Sequence, residues 1–236
     1  MKRNLIKRFC SRVSLRISKA IYQSNRKRKK VIHKYLSTHD MAKLQIGCGP
    51  NRLAEWLNTD ISLHECKAGA LYLDAGELFP FPDNSIDYIY SEHVFEHLNH
   101  DQAVNMLKES FRVLKPSGTI RIATPDFQFL VDLYLHPDNA LNKRYIEWSS
   151  CGGGGCRPVP STALHVINKF HTSWGHQIIY DKETLSALLT ECGYHNIRPC
   201  VIGKSEIESL NNLEAHFKHI PFEFYQLETM LFEADK

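Results

Sequence analysis

From Lys43 onward the chain alternates short apolar runs with segments of helical period, and the first three runs each carry a glycine or an acid at or next to their last residue. Few folds accept that pattern. Apolar runs of strand length separated by helix-length segments read as the strands of a parallel α/β sheet. KLQIG (Lys43–Gly47) is the first run, WLNTDI (Trp56–Ile61) the second, GALYLDA (Gly69–Ala75) the third and SIDYIYSE (Ser85–Glu92) the fourth. Asp101 to Leu114 places Ala103, Val104, Leu107, Phe111 and Leu114 on one helical face, KPSG (Lys115–Gly118) stops it, and TIRIATP (Thr119–Pro125) is the fifth strand. A second helix runs from an N-cap at Asp181 to Cys192 and closes on Gly193. NIRPCVI (Asn196–Ile202) and TMLFEA (Thr229–Ala234) complete the set of strand candidates.

Ligands of open α/β sheets sit outside the carboxyl ends of the strands, near the point where strand order reverses. The first strand runs into IGCGPN (Ile46–Asn51), where Gly47 and Gly49 let the backbone turn sharply and approach a ligand closely. A tight strand-exit turn with no ligand uses the same residues. Asp60 ends the second strand and Asp74 the third. At the first of these positions a carboxylate accepts bonds from ribose hydroxyls, and at the second it takes an exocyclic amine. Each acid also suits an N-cap or a solvated strand end. Three such features at three successive strand ends are hard to obtain by accident. A dinucleotide oxidoreductase needs GxGxxG opening a full helix, with an acid about 20 residues on, and neither condition is met.

Over Lys43–Thr124, and again over His176–Asn196, the chain resembles the class I S-adenosylmethionine-dependent methyltransferases. The strongest stretches are YLDAGELFPFPDNSIDYIYSEHVFEHL and MLKESFRVLKPSGTIRIATP. The resemblance implies a Rossmann-like, seven-stranded mixed sheet flanked by helices, with an antiparallel final strand, and S-adenosylmethionine as cofactor. It implies that Gly47, Cys48 and Gly49 line the methionine moiety, that Asp60 holds the ribose, that Asp74 and Ala75 face the adenine, and that Glu92 joins the cofactor site. Pro50 and Asn51 stand where the family carries a third glycine, and the short stretch from Gly49 to Asp60 requires a stunted first helix. This shortened form resembles a bacterial branch associated with surface-polysaccharide pathways.

Methyl transfer from a sulfonium needs an aligned nucleophile and exclusion of water, and a hydroxyl acceptor also needs a base, for which His is suited near neutral pH. SEHVFEHL (Ser91–Leu98) supplies His93, the leading candidate, and His176 is the second candidate for base or substrate contact. A buried His bonded to loop backbone is the bland alternative for His93. His93, Glu96 and His97 also spell HxxEH, which on a helix shares one face and occurs in a class of zinc proteases. The surrounding pattern is not that of a protease, and no metal is assigned. Residues 126–180 read as a less regular insertion that builds the acceptor pocket. Its aromatics Tyr134, Tyr145, Trp148 and Trp174 serve either sugar stacking or a satellite core, and CGGGGC (Cys151–Cys156) reads as a mobile loop with free thiols.

Charge divides the chain in two. Residues 1–40 hold thirteen Lys and Arg against one acid, Asp40, whereas the body is acidic in balance. Leu5, Ile6, Phe9, Val13, Ile17 and Ile21 give residues 4–22 an amphipathic helical period, broken by NRKRKK (Asn25–Lys30). This reading divides the chain into a basic arm, 1–40, and a methyltransferase domain, 41–236. The arm suits packing on the domain, peripheral contact with an anionic membrane or a partner protein, or targeting. The acidic body disfavours nucleic acid as a partner. Seven scattered cysteines with no CxxC pair indicate a reducing, cytoplasmic setting. The function expected is methyl transfer to a hydroxyl or amine of a small-molecule or glycan-like acceptor. A non-catalytic binding or regulatory subunit on the same fold is the alternative.

Overall fold

The structure, a computed structural model, describes residues 25–151 and 161–236. Seven strands form one sheet: β1 (Lys43–Ile46), β2 (Leu57–Asp60), β3 (Leu71–Tyr72), β4 (Ile86–Glu92), β5 (Leu114–Pro125), β6 (His195–Pro199) and β7 (Thr229–Asp235). Their spatial order is β3-β2-β1-β4-β5-β7-β6. The strands from β3 to β5 are mutually parallel, and β7 enters antiparallel between β5 and β6. The Rossmann-like mixed sheet expected from the sequence is therefore present, antiparallel final strand included. Leu44, Ile46, Ile86, Ile89, Ile120 and Ile122 are all buried. A sheet covered on both faces buries residues of both registers, so its strands read as near-continuous apolar runs.

Eight α-helices accompany the sheet among the described residues: α1 (Asn25–Thr38), α2 (Leu63–Lys67), α3 (His100–Val113), α4 (Phe127–Leu135), α5 (Ala140–Cys151), α6 (Ala163–Thr172), α7 (Lys182–Glu191) and α8 (Phe222–Glu228). Asn99 and Gln102 close a capping box at the start of α3, and Ala103, Met106, Leu107 and Val113 bury its inner face in the main core. Asp181 caps α7 by accepting from the Thr184 N–H, and Gly193 follows that helix at φ +98°. Both ends lie where the sequence signals place them. Among the described residues no helix is long and apolar enough to cross a membrane.

The structure departs from the sequence reading in four places. The NRKRKK run, which breaks the apolar period of residues 4–22, is itself helical within α1, because Lys and Arg are good helix formers and Ile32 and Tyr35 anchor the same helix in the main core. The Tyr35 hydroxyl stands 2.9 and 3.0 Å from the backbone oxygens of Lys43 and Glu55 and accepts from the Lys43 N–H. The third strand is shorter than expected, at Leu71–Tyr72. The first crossover has no helix at all. Side chains hold that turn instead: Asn58 accepts from the Leu53 N–H at 2.9 Å and donates to Leu53 and Trp56, and Gln45 donates to Asn51. Finally, residues 126–180 are largely helical where described. Phe129, Leu130, Leu133, Tyr145, Ile146, Val166 and Phe170 from α4, α5 and α6 pack with Phe224 of α8 into a second core. The amphipathic stretch 4–22 and most of CGGGGC lie outside the described residues.

Candidate active site

Strand order reverses between β1 and β4, and a cavity of about 790 Å³ opens at their carboxyl ends. The loop Gly47–Asn51 forms one wall, and Glu92, His93, Glu96 and His97 beyond β4 form the floor. The helical insertion contributes Tyr145, Trp148, Lys169, Phe170, Trp174 and His176, and His216 and Glu228 close the remaining side. Six of the nine residues expected at the site thus line one cavity: Gly47, Cys48, Gly49, Glu92, His93 and His176. Asp60, Asp74 and Ala75 stand outside its lining.

The two loop glycines serve different ends. Gly47 has φ +68°, and a Cβ there would lie 2.2 Å from Val94 Cγ2. Gly49 has φ +48°, and a Cβ there would meet nothing within 4 Å. The space Gly47 leaves is thus filled by Val94, whereas Gly49 borders open cavity. Asp60 braces the loop, its Oδ2 accepting from the Gly49 N–H at 2.8 Å and its Oδ1 from the Ser62 N–H at 2.7 Å. Burial, and then the Asp60 charge, push the Cys48 thiol up to about 12, so it is a protonated wall and not a nucleophile. Asp74 accepts from the Gly76 N–H at 3.1 Å, in a turn at the end of β3.

Glu92 is engaged by its own chain. It accepts from the N–H groups of Ala215 and His216 and from the Tyr225 hydroxyl at 2.7 Å. Those bonds draw the 215–216 segment over the end of β4. Next to it, Glu214 pairs with the buried Arg121 of β5 at 2.7 Å, and Arg121 also pairs with Glu233 of β7 at 2.6 Å. Two carboxylates, the half-buried Glu92 and the buried Glu214, therefore fix where His216 enters the cavity.

The two expected histidines are held in opposite ways. His93 has φ +49°, a left-handed conformation uncommon for a residue with a side chain. Its Nδ1 lies 2.9 Å from Oε1 of the fully buried Glu96, whose Oε2 accepts from the Thr124 hydroxyl. Burial acts to lower the His93 pKa, but the charge and hydrogen bond of Glu96, reinforced by Glu228 and Glu92, outweigh it and the net shift is upward. His176 instead places Nδ1 2.8 Å from the Phe170 carbonyl oxygen. A carbonyl only accepts, so Nδ1 carries the hydrogen and Nε2 the lone pair. Burial lowers its pKa further than Glu96 raises it, with the neighbouring His97 charge also lowering it. The imidazole of His176 is thus a neutral base at neutral pH.

HxxEH does not form one helical face. His93 precedes the short 3₁₀ turn Phe95–His97 and is turned away from it by its positive φ, so the motif divides. His93 stacks on His216 with ring centroids 4.1 Å apart, whereas His97 meets His176 at 4.9 Å. Sequence reasoning missed His216 and Glu228 altogether. His216 lies in a loop with no periodic signal, and Glu228 ends a short helix, where it reads as an ordinary solvated acid; both arrive through long-range topology.

Residues 44–122, from β1 into β5, match the family model of a methyltransferase domain. S-adenosylmethionine, the cofactor expected from the sequence, agrees with that match. No curated protein matches the chain in sequence. Among solved structures the chain is similar to a SAM dependent methyltransferase from Archaeoglobus fulgidus, at 18% identity and TM-score 0.49 over 90% of this chain and 95% of that one. An S-adenosylmethionine dependent methyltransferase from Mesorhizobium loti aligns at 15% identity and TM-score 0.48, over 83% of this chain and 91% of that one. A Haemonchus contortus phosphoethanolamine N-methyltransferase, in complex with phosphomonomethylethanolamine and S-adenosylhomocysteine, aligns at 14% identity and TM-score 0.47, over 87% of this chain and 51% of that one.

Proposed function

We propose that the chain is an S-adenosylmethionine-dependent methyltransferase acting on a hydroxyl or amine of a small-molecule or glycan-like acceptor. The observation that carries this reading is the meeting, in one cavity at the strand-order switch, of the glycine loop and of a neutral His176 with a free Nε2 lone pair. The methionine end of the cofactor would lie against Gly47, Cys48 and Gly49. Asp60 retains lone pairs beyond its two backbone bonds for ribose hydroxyls, and Asp74 with Ala75 lies further along the strand ends for the adenine. Glu92 acts on the cofactor wall through the loop it anchors.

For a hydroxyl acceptor the electron and proton balance is simple. The acceptor oxygen attacks the methyl carbon, the S–CH₃ bond breaks with its electron pair going to sulfur, and His176 Nε2 takes the hydroxyl proton. The products are a methyl ether, neutral S-adenosylhomocysteine and an imidazolium that returns its proton to solvent. The sulfonium is already activated, so alignment and exclusion of water supply most of the acceleration. Tyr145, Trp148, Phe170 and Trp174 give the acceptor side an aromatic wall, a surface on which sugar rings stack. The basic arm would bring the enzyme to an anionic membrane surface or a partner protein, in a surface-polysaccharide pathway.

Calorimetric titration with S-adenosylmethionine and S-adenosylhomocysteine tests the reading. Binding in the micromolar range is expected, followed by methyl transfer from labelled cofactor to members of a saccharide panel. Replacing His176→Gln should lower transfer by about 10²–10⁴-fold while leaving cofactor affinity intact. A folded protein that binds neither compound would refute the proposal and leave a non-catalytic subunit.

A further inference from the structure

His93, His216 and Glu228 come from three distant segments, the end of β4, the loop braced by Glu92 and the last turn of α8, yet their nitrogen and oxygen donor atoms lie within 4.8 Å of one another. All three line the cavity. The Nε2 atom of His93 is buried with no hydrogen-bond partner, and an unsatisfied buried polar atom calls for a ligand. We propose that these three residues form a divalent transition-metal site, of the zinc class, in the wall of the cavity.

Two imidazoles and one carboxylate with room for further ligands are the donor set of open catalytic metal sites. The outer partners are those such a site needs. A metal-bound His normally gives its other ring N–H to a carboxylate, which fixes the ring; here His93 Nδ1 faces Glu96 at 2.9 Å. Tyr145 donates its hydroxyl to Oε2 of Glu228 and so orients that carboxylate. The local field also favours a cation. The carboxylates of Glu92, Glu96 and Glu228 all act on His93.

The second cluster of the cavity, Glu96, His97 and His176, is less suited. Both Glu96 oxygens are taken, by His93 and Thr124, and Nδ1 of His176 is committed to the Phe170 carbonyl. Donors about 2.0–2.2 Å from a shared ion stand roughly 3.4 Å from one another in a tetrahedron. Binding would therefore draw the three donors together from separations of up to 4.8 Å. An ion held there with open positions would bind an acceptor oxygen and lower its pKa, but the site stands without the methyltransferase reading.

The test uses the full chain, freed of any affinity tag and stripped with a chelator, then dialysed against Zn²⁺ or Co²⁺ alone. About one ion per chain is expected, with a Co²⁺ absorption spectrum of low coordination number and His ligation. His216→Ala and His93→Ala should each weaken binding by at least about 100-fold, while His97→Ala leaves it unchanged. Far-ultraviolet circular dichroism confirms that each variant is folded. No binding by the folded wild type, equal binding by His216→Ala, or loss in His97→Ala alone would each overturn the proposal. Cofactor titration is a separate measurement, so failure here and failure of the methyltransferase reading are distinguishable.

Discussion

Gly47 and Gly49 look alike in the sequence, but the structure predicts that alanine at each position fails differently. At Gly47 an alanine must hold φ +68° and place its Cβ 2.2 Å from Val94 Cγ2. The left-handed conformation costs about 1–2 kcal/mol and the overpacking about 1–3 kcal/mol. Together Gly47→Ala should lose roughly 2–5 kcal/mol, which in a chain of this size lowers the melting temperature by roughly 4–20 °C. At Gly49 the backbone cost is similar, about 1–2 kcal/mol, but a Cβ has nothing within 4 Å. Gly49→Ala should therefore stay folded, and its methyl should instead occupy cavity space and weaken S-adenosylmethionine binding about tenfold or more. Thermal melts and calorimetry on both variants separate the two effects. A double-mutant cycle isolates the steric part: Val94→Ala removes the obstructing methyls, so Gly47→Ala combined with Val94→Ala should lose about 1–3 kcal/mol less than the sum of the single changes. If the two changes are additive, Val94 is not what excludes a side chain at Gly47, and the assignment of the two glycines to different duties is wrong.

Three further outcomes follow from the interactions around the site. Arg121 is fully buried between Glu214 and Glu233, so Arg121→Met should cost about 3–5 kcal/mol in urea unfolding by leaving two buried carboxylates uncompensated; replacing all three residues with apolar ones should restore most of it. Glu92→Ala removes the acceptor for the N–H groups of Ala215 and His216, and these two amides should lose hydrogen-exchange protection by about 10-fold or more; unchanged protection would show that another contact holds the loop. Burial acts to raise the Glu109 pKa, but bonds from Arg112 and the Phe79 N–H outweigh it and leave it below the ordinary 4.5. A depressed carboxylate stabilises the fold above its unfolded pKa and loses that contribution as pH falls through the folded value, so the gap in urea midpoint between wild type and Glu109→Gln should be full at pH 6 and close below pH 4.5. A gap that persists at low pH would trace the effect to shape rather than charge.

Much of the fold is legible because its signals are local. β1, β4 and β5 are covered on both faces, so Leu44, Ile46, Ile89 and Ile120 stand in short, largely apolar runs. The capping and stop signals around α7 act within a few residues, as the Asp181 bond to Thr184 shows. The misread stretches are those in which one local feature masked another. The basic run Asn25–Lys30 concealed the anchoring pair Ile32 and Tyr35 in the same helix, and the glycine run after Cys151 drew attention from the helical spacing of Val166 and Phe170. Arg121 looks like an interruption of a strand, since its partners Glu214 and Glu233 stand 93 and 112 residues away.

The site obeys the same division, and HxxEH shows why a motif can be right about chemistry and wrong about geometry. Spacing of i, i+3 and i+4 brings side chains together only where the backbone is helical from the first residue. Here β4 is parallel to both neighbours and must deliver the chain out of the sheet at Glu92, and the φ of +49° at His93 makes that turn. The turn sends His93 towards His216 and Glu228, while the following 3₁₀ turn sends His97 towards His176. Glu96 is the hinge of the arrangement. It is fully buried between the two sides, bonded to His93, and its backbone oxygen accepts from Gln177 at 2.8 Å, next to His176. Glu96 thus holds His93 through its carboxylate and reaches the His176 side through its backbone oxygen, and its charge acts on His176 as well. Glu96→Gln should accordingly disturb the His93 and His176 ring resonances together in a nuclear magnetic resonance titration, whereas a motif acting as a simple helical face would couple His93 to His97 and leave His176 unmoved.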